Sequence, residues 1–574
     1  MRARQPWRLL RLENRLVPAS VVWDGGAGNG LWSDPVNWVG DTLPAAGDDV
    51  TITSATPVTF DPAAPGVALG SLTVQAPFFI TGGVLDVAGA SAFADAVTQS
   101  GGTFQGAGVA TFFAGVTFAG GTWAGTGKNV VPAGASLAIQ SNAAPILLAR
   151  SVDLAGAGTW TGTADLPTGG GGTFTIKSGG AFDMQAGAVQ WSWGVAPAPV
   201  AITVESGGSL SRSTQDAAII VNAAINNAGT VTVSKGTLAF YGGTSSGKFQ
   251  IDGRLSHIAG ALTAHTGATF AGPGVFSLSS GLAAAGDATI SCFLQQSGGS
   301  INGAGTVTIA GGGIVTSGNW SGTGKTVIAA GSIFNIETKT SPFAINQRRV
   351  DNFGTAVWTG NQPILTSVGA SGLGAWVNKP GAIFLANATA DWGKSSPTLA
   401  ASPFTNEAGA TFQHNPAATM TFAGAFSNGG TLLQQAGALN FAGGLTSTGA
   451  FNVSPGSTAA VTGAFNPPTG AVALGGEVSA GSLNLAAAVN VTLAPPTASG
   501  RFVVNGGVTL SGLFSATAKS ALAVGDTFTI VDNTGPDPIA GTFSGLPEGA
   551  TLPIGGAAAT ISYVGGTGND VTLT

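Results

Sequence analysis

Short apolar stretches alternate with glycine-rich turns along most of the chain after residue 53. Residues 230–243, TVTVSKGTLAFYGG, show the unit. Val231 and Val233, then Leu238 and Phe240, take alternate positions, so each run has one apolar face. That is the period of a half-buried β-strand. Lys235 and Gly236 supply the turn between the runs. Such units recur at about 20-residue intervals, the range of solenoid repeats.

A longer repeat overlies the short one. Residues 99–112 (QSGGTFQGAGVATF) and 296–309 (QSGGSINGAGTVTI) agree at eight of fourteen positions, at an offset of 197. The same offset aligns 121–139 with 318–336 and pairs Trp123 with Trp320 and Lys128 with Lys325. Trp160 matches Trp358 at an offset of 198, Glu205 matches Glu407 at 202, and 227–243 match 428–444 at 201. The drift is that of small insertions in loops between fixed strands. Residues 99–243 and 296–444 are therefore two copies of one multi-rung block. The retained residues are mainly Gly, apolar residues and Trp, a pattern that fits packing and turn constraints better than chemistry.

A short strand pair cannot bury its own apolar face, whereas rungs stacked on rungs can. We therefore expect an all-β chain whose body is a parallel β-helix, right-handed, spanning 53–500. At ~20 residues and ~4.8 Å per rung, that is about 20 rungs and a rod on the order of 100 Å. An antiparallel sandwich array is the competing architecture.

Composition agrees and excludes other classes. Of 574 residues 92 are Gly and 8% are charged, while 44% are hydrophobic. Disordered chains show the opposite balance, and the glycines lack the three-residue period of collagen. The formal net charge is −6, yet Arg2, Arg4, Arg8, Arg11 and Arg15 are five of the twenty basic residues. The rest of the chain is acidic, so no nucleic-acid footprint exists. No run of about 18 apolar residues predicts a membrane helix. The single Cys292 lies in an apolar run and reads as a buried, inert thiol.

Three segments carry a resemblance. Residues 12–19 (LENRLVPA) resemble the short "LExR-x-x-P" leader of planctomycete extracellular proteins. Residues 21–52, with Trp23, Trp32 and Trp38, resemble the W-D-G…N-W opening block of autotransporter-associated β-strand repeat proteins. Residues 501–574 resemble the end segment of that group, in the pattern GDxFxI…GxFxGLPEGA…ISYxGGxGNDVxL. The resemblance implies an export leader at 1–20, a Trp-rich β cap at 21–52 and a capping β domain at 501–574. It does not imply self-export, because no translocator barrel follows the end segment. A cap over the last apolar rung also has a physical reason, since it blocks edge pairing.

Candidate chemistry is sparse. Asp24, Asp34, Asp48 and Asp49 could hold calcium but read as turn residues. Residues 565–573 mimic one calcium-binding nonapeptide, with Thr572 in the large apolar position. His257, His265 and His414 lack metal-ligand spacing and read as surface or turn residues. A β-helix acting on polysaccharide needs clustered acids with a basic partner. Lys248, Asp252 and Arg254 are expected on one face, with Asp216 or Asp287 from other rungs, and Arg348, Arg349 and Asp351 form a second group. Surface ion pairs are the simpler reading of both. Repeated Thr-x-Thr pairs such as Thr51 and Thr53 are too irregular for an ice-binding face.

The sequence thus predicts an exported, non-enzymatic β-solenoid of the cell surface or extracellular matrix, a scaffold or adhesin. It would meet surface or matrix glycans or other copies of itself. It is assigned no catalytic, cofactor or metal residue, with structural calcium as a minor option. The alternative is a polysaccharide lyase, hydrolase or carbohydrate-binding β-helix protein.

Overall fold

The computed structural model describes residues 19–142, 146–196, 198–214, 216–368 and 374–574. The arginines of the expected leader, Arg2 to Arg15, lie outside the described residues. The chain is all-β, 55% strand, with parallel strands stacked in a solenoid of about 22 turns. It divides into two compact units, Met1–Phe240 and Tyr241–Thr574.

Each turn of the first unit lays down three short strands, one per face. On the first face Leu72 pairs with Ser91, Ser91 with Ala110 and Ala110 with Asn129, all parallel and a constant 19 residues apart. The second face starts at Val58–Phe60 and the third at Ala68–Leu69. Longer strands such as Val97–Gln105 and Val116–Trp123 run through a corner, shift register there and serve two faces. Alternation decides which side chains enter the interior. Leu72, Val74, Phe112, Val152 and Leu154 point inward and are buried.

Corners need backbone freedom where rungs touch. Gly106, at φ 122°, would place a Cβ 2.1 Å from the Val87 carbonyl oxygen of the rung before it. Gly303, its counterpart in the second copy, meets Ala284 in the same way at 2.4 Å. Only glycine fits either site.

The opening tryptophans pack against one another. Trp23 and Trp32 meet the Trp38 ring edge-on at 5.0 and 4.7 Å, and Trp38 Nε1 donates to the Trp32 carbonyl. Strand edges are closed by Val39 N–H to Val22 O and Thr59 N–H to Gly30 O.

The second unit has the same three-faced build. Its interior holds a phenylalanine stack: Phe384, Phe404, Phe412, Phe422, Phe426 and Phe441, with neighbouring centroids 4.9–6.2 Å apart. Beside it runs a buried amide ladder. Asn352 Nδ2 donates to Asn378 Oδ1 at 3.0 Å, Asn406 to Asn428 at 2.9 Å and Asn428 to Ser447 Oγ at 3.0 Å. Each of these amides also reaches a main-chain carbonyl of another rung. Polar atoms are tolerated there because both hydrogens of each amide find acceptors.

Parallel order ends near the C-terminus. Phe528–Asn533 pairs parallel with Arg501–Val504 on one edge and antiparallel with Asp570–Leu573 on the other. Ala557–Gly565 extends that antiparallel layer and pairs with Thr551–Ile554. Tyr563 Oη donates to Leu546 O and accepts from Phe543 N–H. Antiparallel pairing is thus local, and the sandwich array is overturned for the body by its parallel ladders.

Candidate functional site

The polar groups that recur in both copies of the repeated block are rung-to-rung fasteners. Trp123 Nε1 donates to Gln99 Oε1 at 2.7 Å, and Trp320 donates to Gln296 at 2.9 Å. Trp160 Nε1 donates to Ser141 Oγ and Trp358 to Thr338 Oγ1. Outside, Lys128 pairs with Asp153 at 2.8 Å and Lys177 with Glu205 at 2.7 Å. Their counterparts are Lys325 with Asp351 at 3.6 Å and Lys379 with Glu407 at 2.7 Å.

The deepest fastener is an arginine. Arg150 is buried and donates through Nη1 to Gly106 O at 2.6 Å and Ala124 O at 3.1 Å, and through Nη2 to Gly108 O. Arg348 does the same to Gly303, Ser321 and Gly305, and adds Lys325 O and Thr326 Oγ1. The Gly-Ala-Gly motif shared by both copies is therefore the receptor of a guanidinium fork. Burial pulls both arginines down to about 10, opposed at Arg150 by Asp86.

The expected acid–base groupings are not assembled. The chain turns at Asp252 and Gly253, so Lys248 and Arg254 stand in different strands on different faces. Asp252 accepts from Gln250 Nε2, and Arg254 donates to Gln295 Oε1 two rungs on, both at 2.8 Å. The alternation argument failed because it ran through a corner. Asp287 is tied to Thr306 N–H at 2.8 Å, a bond that holds its carboxyl below the usual range, and Asp216 is an exposed bend residue in the first unit. In the second group Arg348 is interior, while Arg349 Nε contacts Asp351 Oδ1 at 2.7 Å, an exposed arginine on a buried carboxylate rather than the expected surface pair.

Two histidine readings are corrected. His257 and His414 are fully buried strand residues, and only His265 lies exposed in a turn. His414 Nδ1 is 2.9 Å from Gln434 Oε1. Desolvation lowers both buried imidazoles. A signal was present: His257 follows Leu255, His414 follows Phe412 and Arg212 follows Leu210, each at the inward alternate position. Arg212 is buried too and donates to Met184 O, Ala186 O and Ala217 O. Cys292 is buried as expected, and desolvation pushes its thiol up to about 11.

The aspartates considered for calcium spend their oxygens as hydrogen-bond acceptors, Asp24, Asp34 and Asp48 in turns and Asp49 at the head of a strand. Asp24 takes Gly26 N–H, Asp34 takes Val36 N–H, and Asp48 takes Ala19 and Ala45 N–H with its two oxygens. Asp49 accepts from Ser71 Oγ. Asp570, in the nonapeptide-like end, takes Asn533 and Thr567 N–H. Among the described residues, no three His, Cys, Asp or Glu side chains are grouped to hold a metal ion. The outward row Thr51, Thr73, Ala92, Thr111 is broken at its third member. No helix among the described residues is long and apolar enough to cross a membrane. No protein-family model matches the chain, and no curated protein matches it.

Proposed function

We propose that this β-solenoid is a non-enzymatic scaffold or adhesin, exported to the cell surface or extracellular matrix, of the kind found among planctomycete repeat proteins. One observation carries the mechanical part. In both copies of the block the retained polar side chains spend their hydrogen bonds on neighbouring rungs, through the Trp–Gln pair, the arginine fork and the Lys–carboxylate pairs. Groups used in this way stiffen a stack and leave its outward rows of Thr, Ser and Asn as the working surface. The address rests on the leader-like and end-segment resemblances.

Protease shaving and surface biotinylation of intact native cells test the address. The chain is expected to be cleaved and labelled without lysis, and a stable cytoplasmic pool would overturn the reading. Incubation with a polysaccharide panel tests the rest. No new reducing ends or unsaturated products are expected, and turnover that survives purification would favour the lyase or hydrolase alternative.

A further inference from the structure

One corner of the second unit departs from the regular stack. The corners at Pro455–Ser457 and Gly475–Gly476 lie flat on one another, with no room for a Cβ on either glycine. On the next turn the chain leaves the surface instead. Leu493 pairs antiparallel with Ser499 and Ala494 with Ala498, so a hairpin stands up as a wall. It is braced from behind, where Thr527 N–H donates to Pro496 O. Between this wall and the flat corners lies a cleft of about 320 Å³. That is the lower end of the roughly 300–1,000 Å³ typical of ligand pockets.

The floor is a polar row. Thr458, Glu477 and Arg501 are neighbours in register on successive turns. Arg501 Nε and Nη2 grip Glu477 Oε2 at 3.0 and 2.8 Å, and Nη1 lies 3.7 Å from Asp532. Glu477 Oε1 takes no hydrogen bond among the described residues and remains an open acceptor. Lys519 lines the cleft, is exposed and has no ion-pair partner among the described residues. The cleft therefore offers an unneutralised ammonium, a carboxylate oxygen fixed by an arginine, and the Thr458 and Thr492 hydroxyls. Its walls are flat and side-chain-poor, made of Gly, Pro and Ala.

We propose that this cleft binds an anionic sugar, a hexuronate unit of an acidic polysaccharide. The sugar carboxylate pairs with Lys519, ring hydroxyls donate to Glu477 and exchange hydrogen bonds with the threonines, and the C–H face lies on the Gly475–Gly476 wall. An acidic peptide fits less well, because no deeper apolar pocket receives its side chains, whereas the flat Gly and Pro walls suit a sugar ring. The proposal stands whether or not the export reading holds.

Calorimetric titration of the full chain with trigalacturonate tests it, with the neutral galactose trimer and tetraglutamate as comparators. Saturable binding of trigalacturonate is expected, weakened by added salt and about tenfold or more by Lys519→Ala, as befits loss of a charge-assisted hydrogen bond. Thr492→Trp, which fills the cleft without changing charge, should abolish it. Lys394→Ala, at an exposed lysine outside the cleft, should leave it unchanged. Four results would overturn the assignment: no saturable binding by the wild type, equal binding of the neutral trimer, tighter binding of tetraglutamate, or wild-type affinity in Lys519→Ala.

Discussion

The two arginine forks differ in two contacts, since Arg348 adds Lys325 O through Nη2 and Thr326 Oγ1 through Nε, and the second of these sets up a measurable test. In the second copy Arg348 Nε donates to Thr326 Oγ1 at 2.8 Å. Offset alignment places Asn129 where Thr326 stands. Asn129 is buried, and among the described residues its two side-chain polar atoms have no hydrogen-bond partner, nor has Arg150 Nε. Asn129→Thr should supply the missing acceptor and remove an unsatisfied amide. A hydrogen bond to a charged group contributes about 1.5–3 kcal/mol, and an orphaned buried polar group costs about 1–3 kcal/mol. After the cost of burying and fixing a new hydroxyl, a gain of about 2 kcal/mol is expected, roughly thirtyfold in a local opening equilibrium. Native-state hydrogen exchange suits this, because solenoid stability is a sum of neighbour terms and opening is local. Protection should rise by about that factor in residues 128–131 and 151–154. The reverse change, Thr326→Asn, should lower it comparably in 325–328 and 349–352. If neither substitution moves protection, the Thr326 hydrogen bond does not stabilise the fork and the reasoning fails.

Three other outcomes follow from the buried groups. Arg348→Met strips the donors from four carbonyls and should cost about 3 kcal/mol or more in urea unfolding, with Arg348→Lys nearly as harmful because an ammonium cannot fork. His257 and His414 have folded pKa values below the unfolded value of about 6.5. Above that pH both states are neutral and the histidines are silent, whereas below it the unfolded chain takes up protons that the fold refuses. The urea midpoint should therefore fall between pH 7.5 and 5, and less steeply in His414→Gln. Cys292, with its thiol raised to about 11, should resist a maleimide at pH 8 until urea opens the second unit.

The fold was largely legible in the sequence because its cause is local and repeated. Alternation at Val231, Val233 and Leu238, with glycine between, allows few structures besides a stack, and the duplicated block fixes its scale. The polar interior was harder to read. Arg150, Arg212, His257 and His414 were legible only to an argument that trusts alternation over polarity, since each sits on an inward position. The Lys248, Asp252 and Arg254 grouping failed for the opposite reason, as alternation holds within a strand and not across a corner. The cleft beside Glu477 was invisible, because residues 458, 477, 501 and 519 meet only through rung register and a hairpin that no pattern marks.

The arginine fork also constrains how such a gene can grow. Arg150 grips Ala124 from the turn before it and Gly106 from the turn before that. Three consecutive turns are thus one indivisible cassette. A recombination breakpoint between residues 106 and 150 would leave a guanidinium without acceptors or carbonyls without a donor. Both surviving copies, 99–243 and 296–444, begin ahead of the receptor glycines and end beyond the arginine. Insertions collect at loops, where the offset drifts from 197 to 202, and the chain lengthens by whole cassettes.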